Sequence, residues 1–218
     1  MTTLQQTPKD SYAAARREMI ARQLLPRGIS DARVLRAMGE VPREIFLPAQ
    51  NRSRAYDDGA QAIGDGQTIS QPYVVAWMSE LLQAQAHHKT LEIGTGCGYQ
   101  TAVLCKLVDH VYTIERIARL AEGAQDNLRT LKLSNYSLRV GDGSRGWPEL
   151  APFDRILCAA APAGIPPALV EQLAPGGRLV LPVGPQGRQE MTVVMRDEQG
   201  AVNVEQRGPV AFVPLIGG

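Results

Sequence analysis

Between residues 90 and 182 the sequence switches back and forth between two periodicities, and this alternation restricts the fold more than any other feature. Thr90–Ile93 reads as a short strand, and a helical pattern follows from about Tyr99 to Leu107. Val111–Glu115 is again a strand, Leu120–Leu131 a helix, and Ser137–Val140 and Arg155–Ala159 are further strands. Pro166–Leu173 has helical spacing closed by Pro175-Gly176-Gly177, and Arg178–Pro182 is the next strand. Strand–helix alternation of this kind predicts a doubly wound α/β sheet, mostly parallel, with helices on both faces. The pattern breaks after Pro182. About seven residues separate it from the β-rich run Glu190–Arg196, fewer than the roughly 10–12 a parallel crossover needs. That strand is therefore predicted to run antiparallel. A turn at Asp197-Glu198-Gln199-Gly200 leads to Val202–Gln206, and Val210–Val213 is expected to be a last extended piece.

Upstream, residues 1–10 are polar and expected to fray. Tyr12, Met19, Ile20, Gln23 and Leu24 have helical spacing that Pro26 and Gly28 end. Ser30 is expected to cap a second helix carrying Val34, Leu35 and Met38 and stopped by Gly39. Residues 40–71 show little periodicity, and a loop of that length in a compact domain is often functional. From Pro72 the spacing of Val74, Trp77, Met78, Leu81 and Leu82 predicts a helix with Pro at its first position. The expected organisation is one domain over 1–218. It comprises a helical and loop extension (1–71), an α/β core that binds a cofactor (72–184) and antiparallel strands (185–218).

A chain of 218 residues with formal net charge +1 has volume for such a sheet. It lacks the charge excess of a protein that binds nucleic acid by bulk electrostatics. No stretch approaches the roughly 20 apolar residues of a membrane-spanning helix, and the first thirty residues have no apolar core of a secretory signal. Cys97, Cys105 and Cys158 lack metal-ligand spacing and read as free thiols. A cytoplasmic monomer without metal, nucleic-acid partner or membrane is expected.

The sharpest motif is Glu92-Ile93-Gly94-Thr95-Gly96-Cys97-Gly98. It follows an apolar strand and opens a helix, where glycines permit positive φ and close approach of a ligand. Its G-x-G-x-G spacing differs from the G-x-G-x-x-G of dinucleotide sites, and no GK[ST] pair marks a phosphate loop. An acid at Glu92 suits a cationic ligand. S-adenosylmethionine carries a sulfonium and an ammonium and no phosphate, so it fits, whereas a pyrophosphate would be repelled. Glu115, at the end of the next strand, is placed to accept both ribose hydroxyls. Asp142 in Gly141-Asp142-Gly143 is either a turn residue or an acceptor for the adenine amine.

Leu91–Tyr99, Glu115 and Gly141–Gly143 resemble the cofactor motifs of class I S-adenosylmethionine methyltransferases, a Rossmann-like fold. A narrower likeness lies in Val41-Pro42-Arg43-Glu44-Ile45-Phe46, in Gly66-Gln67-Thr68-Ile69-Ser70-Gln71-Pro72 and in Pro175–Gly184. These, with Val213-Pro214-Leu215, resemble the protein-L-isoaspartate O-methyltransferase family over roughly residues 15–216. The resemblance implies methyl transfer to the free α-carboxylate of isoaspartyl residues in damaged proteins and peptides. The ester then closes to a succinimide whose hydrolysis regenerates some aspartate. It also implies that Gln67, Thr68, Ile69 and Ser70 border cofactor and substrate, that Ser70 is the active-site hydroxyl, and that Val213 touches substrate. Gly94, Gly96, Gly98 and Gly143 join Glu92, Glu115 and Asp142 as expected cofactor contacts. Cys97 stands where the family often has Ser.

The chemistry agrees with these residues. A carboxylate is ionised at neutral pH and needs no base to attack a sulfonium methyl; it needs placement. His87, His88 and His110 all lie away from the motifs and read as surface or helix-end residues. Cys97 lacks an evident activator, and Tyr73 and Trp77 read as core. An alternative is a class I methyltransferase acting on a small-molecule oxygen or nitrogen, which would require a base near Ser70. A nicotinamide oxidoreductase is disfavoured by the loop spacing, and a non-catalytic module would bind cofactor without turnover.

Overall fold

A computed structural model describes residues 12–217; the expected fraying of residues 1–10 lies outside them. The centre is a seven-stranded sheet in the order β5-β4-β3-β6-β7-β8-β9. Its parallel part consists of β3 (Thr90–Ile93), β4 (Val111–Glu115), β5 (Tyr136–Val140), β6 (Phe153–Cys158) and β7 (Leu173–Val183). The last two strands, β8 (Gln189–Arg196) and β9 (Val202–Val210), are antiparallel, as the short connection after Pro182 requires. Side chains alternate across the sheet into two cores. Leu91, Ile93, Ile156 and Leu179 enter one, and Leu157, Val180, Met191 and Val193 the other. Both faces are covered, which is why β3 is buried at all four positions. Fully burying one such aliphatic side chain stabilises by roughly 1.5–3 kcal/mol.

The covering helices are α2 (Ala32–Glu40), α3 (Pro72–Leu82), α4 (Tyr99–Cys105), α5 (Ala118–Thr130) and the short α6 (Pro167–Glu171), preceded by α1 (Ala13–Met19). α1 runs on through a π-turn and a 3-10 turn to Gly28, which ends it with φ +87°. Among the described residues no helix is long and apolar enough to cross a membrane.

Several local expectations are corrected. The cap of α2 is Asp31, whose carboxylate accepts the backbone N–H of Arg33 and Val34; Ser30 instead donates its own N–H and hydroxyl to Glu80. Gly39 lies inside α2, its missing Cβ leaving room for Ile20. The stretch 40–71 is not structureless. It holds two 3-10 turns and a hairpin of β1 (Gln61–Gly64) and β2 (Gln67–Ile69), elements too short to show periodicity. Pro175-Gly176-Gly177 does not close α6 but bulges within β7. Gly176 takes φ +70°, and a Cβ on Gly177 would stand 2.6 Å from the Ala174 carbonyl oxygen. Val210 ends β9, and the chain beyond it forms an isolated bridge between Pro214 and Ala161 rather than a strand.

Candidate active site

The sheet order reverses direction at β3, which has β4 on one side and β6 on the other. Chain leaving these carboxyl ends diverges and opens a crevice. The glycine loop turns there under backbone control. The N–H groups of Gly94 and Thr95 donate to the Ile114 carbonyl, and that of Ala159 donates to Ile93. Gly94, Gly96 and Gly98 have φ of +90°, +56° and +90°, a region that costs other residues strain. The crevice is a cavity of about 860 Å³, its open mouth included.

Most of the expected site residues converge on it. Gln67, Thr68, Ile69 and Ser70 form one wall, Gly94 and Gly96 the floor, and Glu115, Gly143 and Val213 further sides. Glu115 is almost fully buried. One carboxylate oxygen accepts the Gly96 N–H at 2.8 Å and the other the Ile117 N–H at 2.9 Å. Each oxygen keeps a second lone pair for a hydroxyl entering from the cavity. Ser70 is half-buried. The cap position of α3 is Gln71, and it makes no side-chain cap bond. The Ser70 hydroxyl therefore serves no helix end.

Three expected residues stand outside the lining. Gly98 faces α5, where a Cβ would meet Ala124 and Leu128 at 3.3 Å, so glycine serves helix packing there. Asp142 accepts the Ser144 N–H and hydroxyl at 2.9 and 2.7 Å. It thereby holds the turn whose first residue, Gly143, does reach the cavity; a Cβ on Gly143 would lie 2.4 Å from the Ile93 side chain. Glu92 lies fully buried behind the loop. One of its oxygens accepts the Thr101 and Thr113 hydroxyls at 2.5 and 2.6 Å, and the other has no partner. Burial pushes its pKa from 4.5 to about 7 against the lowering effect of those two hydroxyls, with the Glu115 charge adding to the rise. Thr113 also bonds Thr95, at 2.7 Å, so the acid reaches the loop through two hydroxyls.

Ala159 and Ala160, which follow β6, also line the cavity and belong to none of the motifs quoted above; Ile93 ends β3, Ile114 lies one residue before the end of β4, and Pro214–Ile216 close the far side. The run of small residues after β6 was the available signal, since only alanine-sized side chains leave space at a strand end beside the crevice. Arg116 is the one lining side chain with a formal positive charge, and it is exposed. No histidine lines the cavity. His87 is exposed, His88 is half-buried and accepts the Gln85 N–H at its Nδ1, and His110 bonds Ser137. Burial pushes the Cys97 thiol up to about 11 and the Tyr99 phenol up to about 12, leaving both protonated at neutral pH.

Comparison with known proteins agrees over nearly the whole chain. The model of the family described as protein-L-isoaspartate(D-aspartate) O-methyltransferase matches residues 15–218. A protein-L-isoaspartate O-methyltransferase of Pelotomaculum thermopropionicum is 50% identical over 208 residues, 95% of this chain and 91% of that one. One from Methylorubrum populi is 52% identical over 94% of this chain and 96% of its own length. A solved protein-L-isoaspartate O-methyltransferase superposes with TM-score 0.83 at 28% identity. That match covers 93% of this chain and 66% of that longer one.

Proposed function

The chain belongs to the protein-L-isoaspartate(D-aspartate) O-methyltransferase family, and from that premise we propose how its own residues methylate the α-carboxylate of isoaspartyl residues in damaged proteins and peptides. The observation that carries the reading is a cavity in which a buried carboxylate, Glu115, and an uncommitted hydroxyl, Ser70, meet with no histidine or ionised thiol between them. Such a site suits an acceptor that arrives already ionised.

The residues fit S-adenosylmethionine. The loop glycines let a ligand approach the backbone, and Glu115, fixed by Gly96 and Ile117, offers an acceptor to each hydroxyl of a ribose. That cofactor supplies an electrophilic methyl on a sulfonium. Glu92 stiffens the loop from behind through Thr113 and Thr95, and Asp142 fixes the turn that presents Gly143. Ser70 donates its hydroxyl hydrogen to the acceptor carboxylate and aligns it. Gln67, Thr68 and Ile69 on β2, with Val213 opposite, exclude water from the reacting atoms. Alignment of this kind is worth roughly 7–11 kcal/mol at best.

Residues 72–184 act as the cofactor-binding core of one domain, with 1–71 and 185–218 as its two flanks, each lending a wall to the cavity. The working unit is read as a monomer; sedimentation at assay concentration tests this. The decisive experiment measures methyl incorporation into paired peptides differing only in Asp against isoAsp. Methylation confined to the isoAsp member is expected, and equal labelling of both would sink the reading.

A further inference from the structure

A second cavity, of about 790 Å³ with its mouth included, adjoins the first and shares Thr68, Ser70, Ala159 and Val213 with it. One wall is the face of α3 that presents Tyr73 and Trp77, their rings stacked at 5.8 Å and 19°. The other is the chain after β9, including Ala211 and Phe212. That wall is fixed. The buried Gln189 side chain accepts the Phe212 N–H at 2.6 Å and donates to its carbonyl at 3.1 Å. Among the described residues, no side chain lining this cavity carries a formal charge. Arg27 lies 5.0 Å over the Tyr73 ring and is paired with Asp58.

We propose that this aromatic cavity is a specificity subsite for an apolar side chain of the acceptor, that of the residue on the amino side of the isoaspartate. The proposal rests on the isoaspartyl reading of Ser70. The two cavities share Ser70 in their walls, so what fills the second is covalently close to the carboxylate held at its hydroxyl. In an isoaspartyl residue the α-carboxylate sits on the carbon that also bears the residue's own amide nitrogen, which is joined directly to the carbonyl of the preceding residue. The following residue is reached only through the side-chain methylene, so the amino-side neighbour stands one bond nearer. An apolar side chain entering here leaves water for aromatic surface. A charged one sheds its hydration and meets no countercharge.

The test is kcat/KM on isoaspartyl peptides with Ala, Leu, Phe or Glu on the amino side, and the same set varied on the carboxyl side. Leu and Phe on the amino side should exceed Glu there by at least about tenfold. Trp77→Ala should shrink that ratio several-fold. Ala211→Lys, at an exposed position on the rim, should raise the rate of the Glu peptide relative to the Leu peptide without disturbing the core, and it carries the test if the tryptophan variant does not fold. Equal rates for all peptides, a preference confined to the carboxyl side, or a ratio unmoved by Ala211→Lys would overturn the subsite. Such peptides would still be methylated, leaving the underlying reaction intact. Methylation of no isoaspartyl peptide at all would overturn that reaction and the subsite with it.

Discussion

Glu92 shows how one residue can hold a loop and set a pH dependence together. Its pKa is raised by burial from 4.5 to about 7, so the folded chain binds a proton that the unfolded chain has released between those values. The favourable contribution is complete below pH 4.5 and is lost as pH rises through 7. The loss amounts to roughly 3 kcal/mol. Glu92→Gln cannot ionise. Urea unfolding of the cofactor-free protein at pH 5 and pH 8 should show the wild type losing stability relative to this variant by a few kcal/mol; parallel pH curves would refute the buried ionisation. Ser70 carries the complementary prediction. Ser70→Ala removes a hydrogen bond to a charged acceptor, worth about 1.5–3 kcal/mol, so kcat/KM should fall roughly ten- to two-hundred-fold. Cofactor affinity should change far less, and because Ser70 caps no helix the variant should keep its melting temperature. Full activity, or a loss traced wholly to cofactor binding, would remove the assigned role.

At the scale of elements, the three loop glycines separate into different duties. Gly94 and Gly96 floor the cavity, while Gly98 lets α4 lie against α5. Gly98→Ala forces a Cβ into the left-handed region and against Ala124 and Leu128. It should cost about 1–3 kcal/mol of stability, read as a lower unfolding midpoint. An unchanged midpoint would return Gly98 to the cofactor. The distinction was invisible in the motif, because spacing records that a glycine is needed and not which neighbour needs it. The parallel strands and the antiparallel return after Pro182 were legible because apolar period and connection length are local quantities. The hairpin of β1 and β2 was not, since three- and four-residue strands carry no periodicity. Glu115 was readable from its place at a strand end. The burial of Glu92 was not, because an acid in a strand gives no sign of which hydroxyls fold over it.

For the whole molecule, the cavity joins distant parts of the chain, with residues 67–70 and 213–216 standing on either side of the glycine loop. The second of these walls is tied to the core by two backbone hydrogen bonds, Ala161 N–H to Val213 and Leu215 N–H to Ala161. Truncation after Phe212 keeps all seven strands of the sheet and removes that wall. It should leave the circular dichroism spectrum near that of the full chain and weaken S-adenosylmethionine binding by at least about tenfold, or 1.4 kcal/mol, in calorimetry. Undiminished affinity in the folded truncated chain would show that the wall is dispensable.

The bridge between Ala161 and Pro214 also orders events during synthesis. The glycine loop, Glu115 and Ser70 leave the ribosome well before the segment that completes their enclosure. A nascent chain can thus lay down its parallel strands while its site is still open on one side.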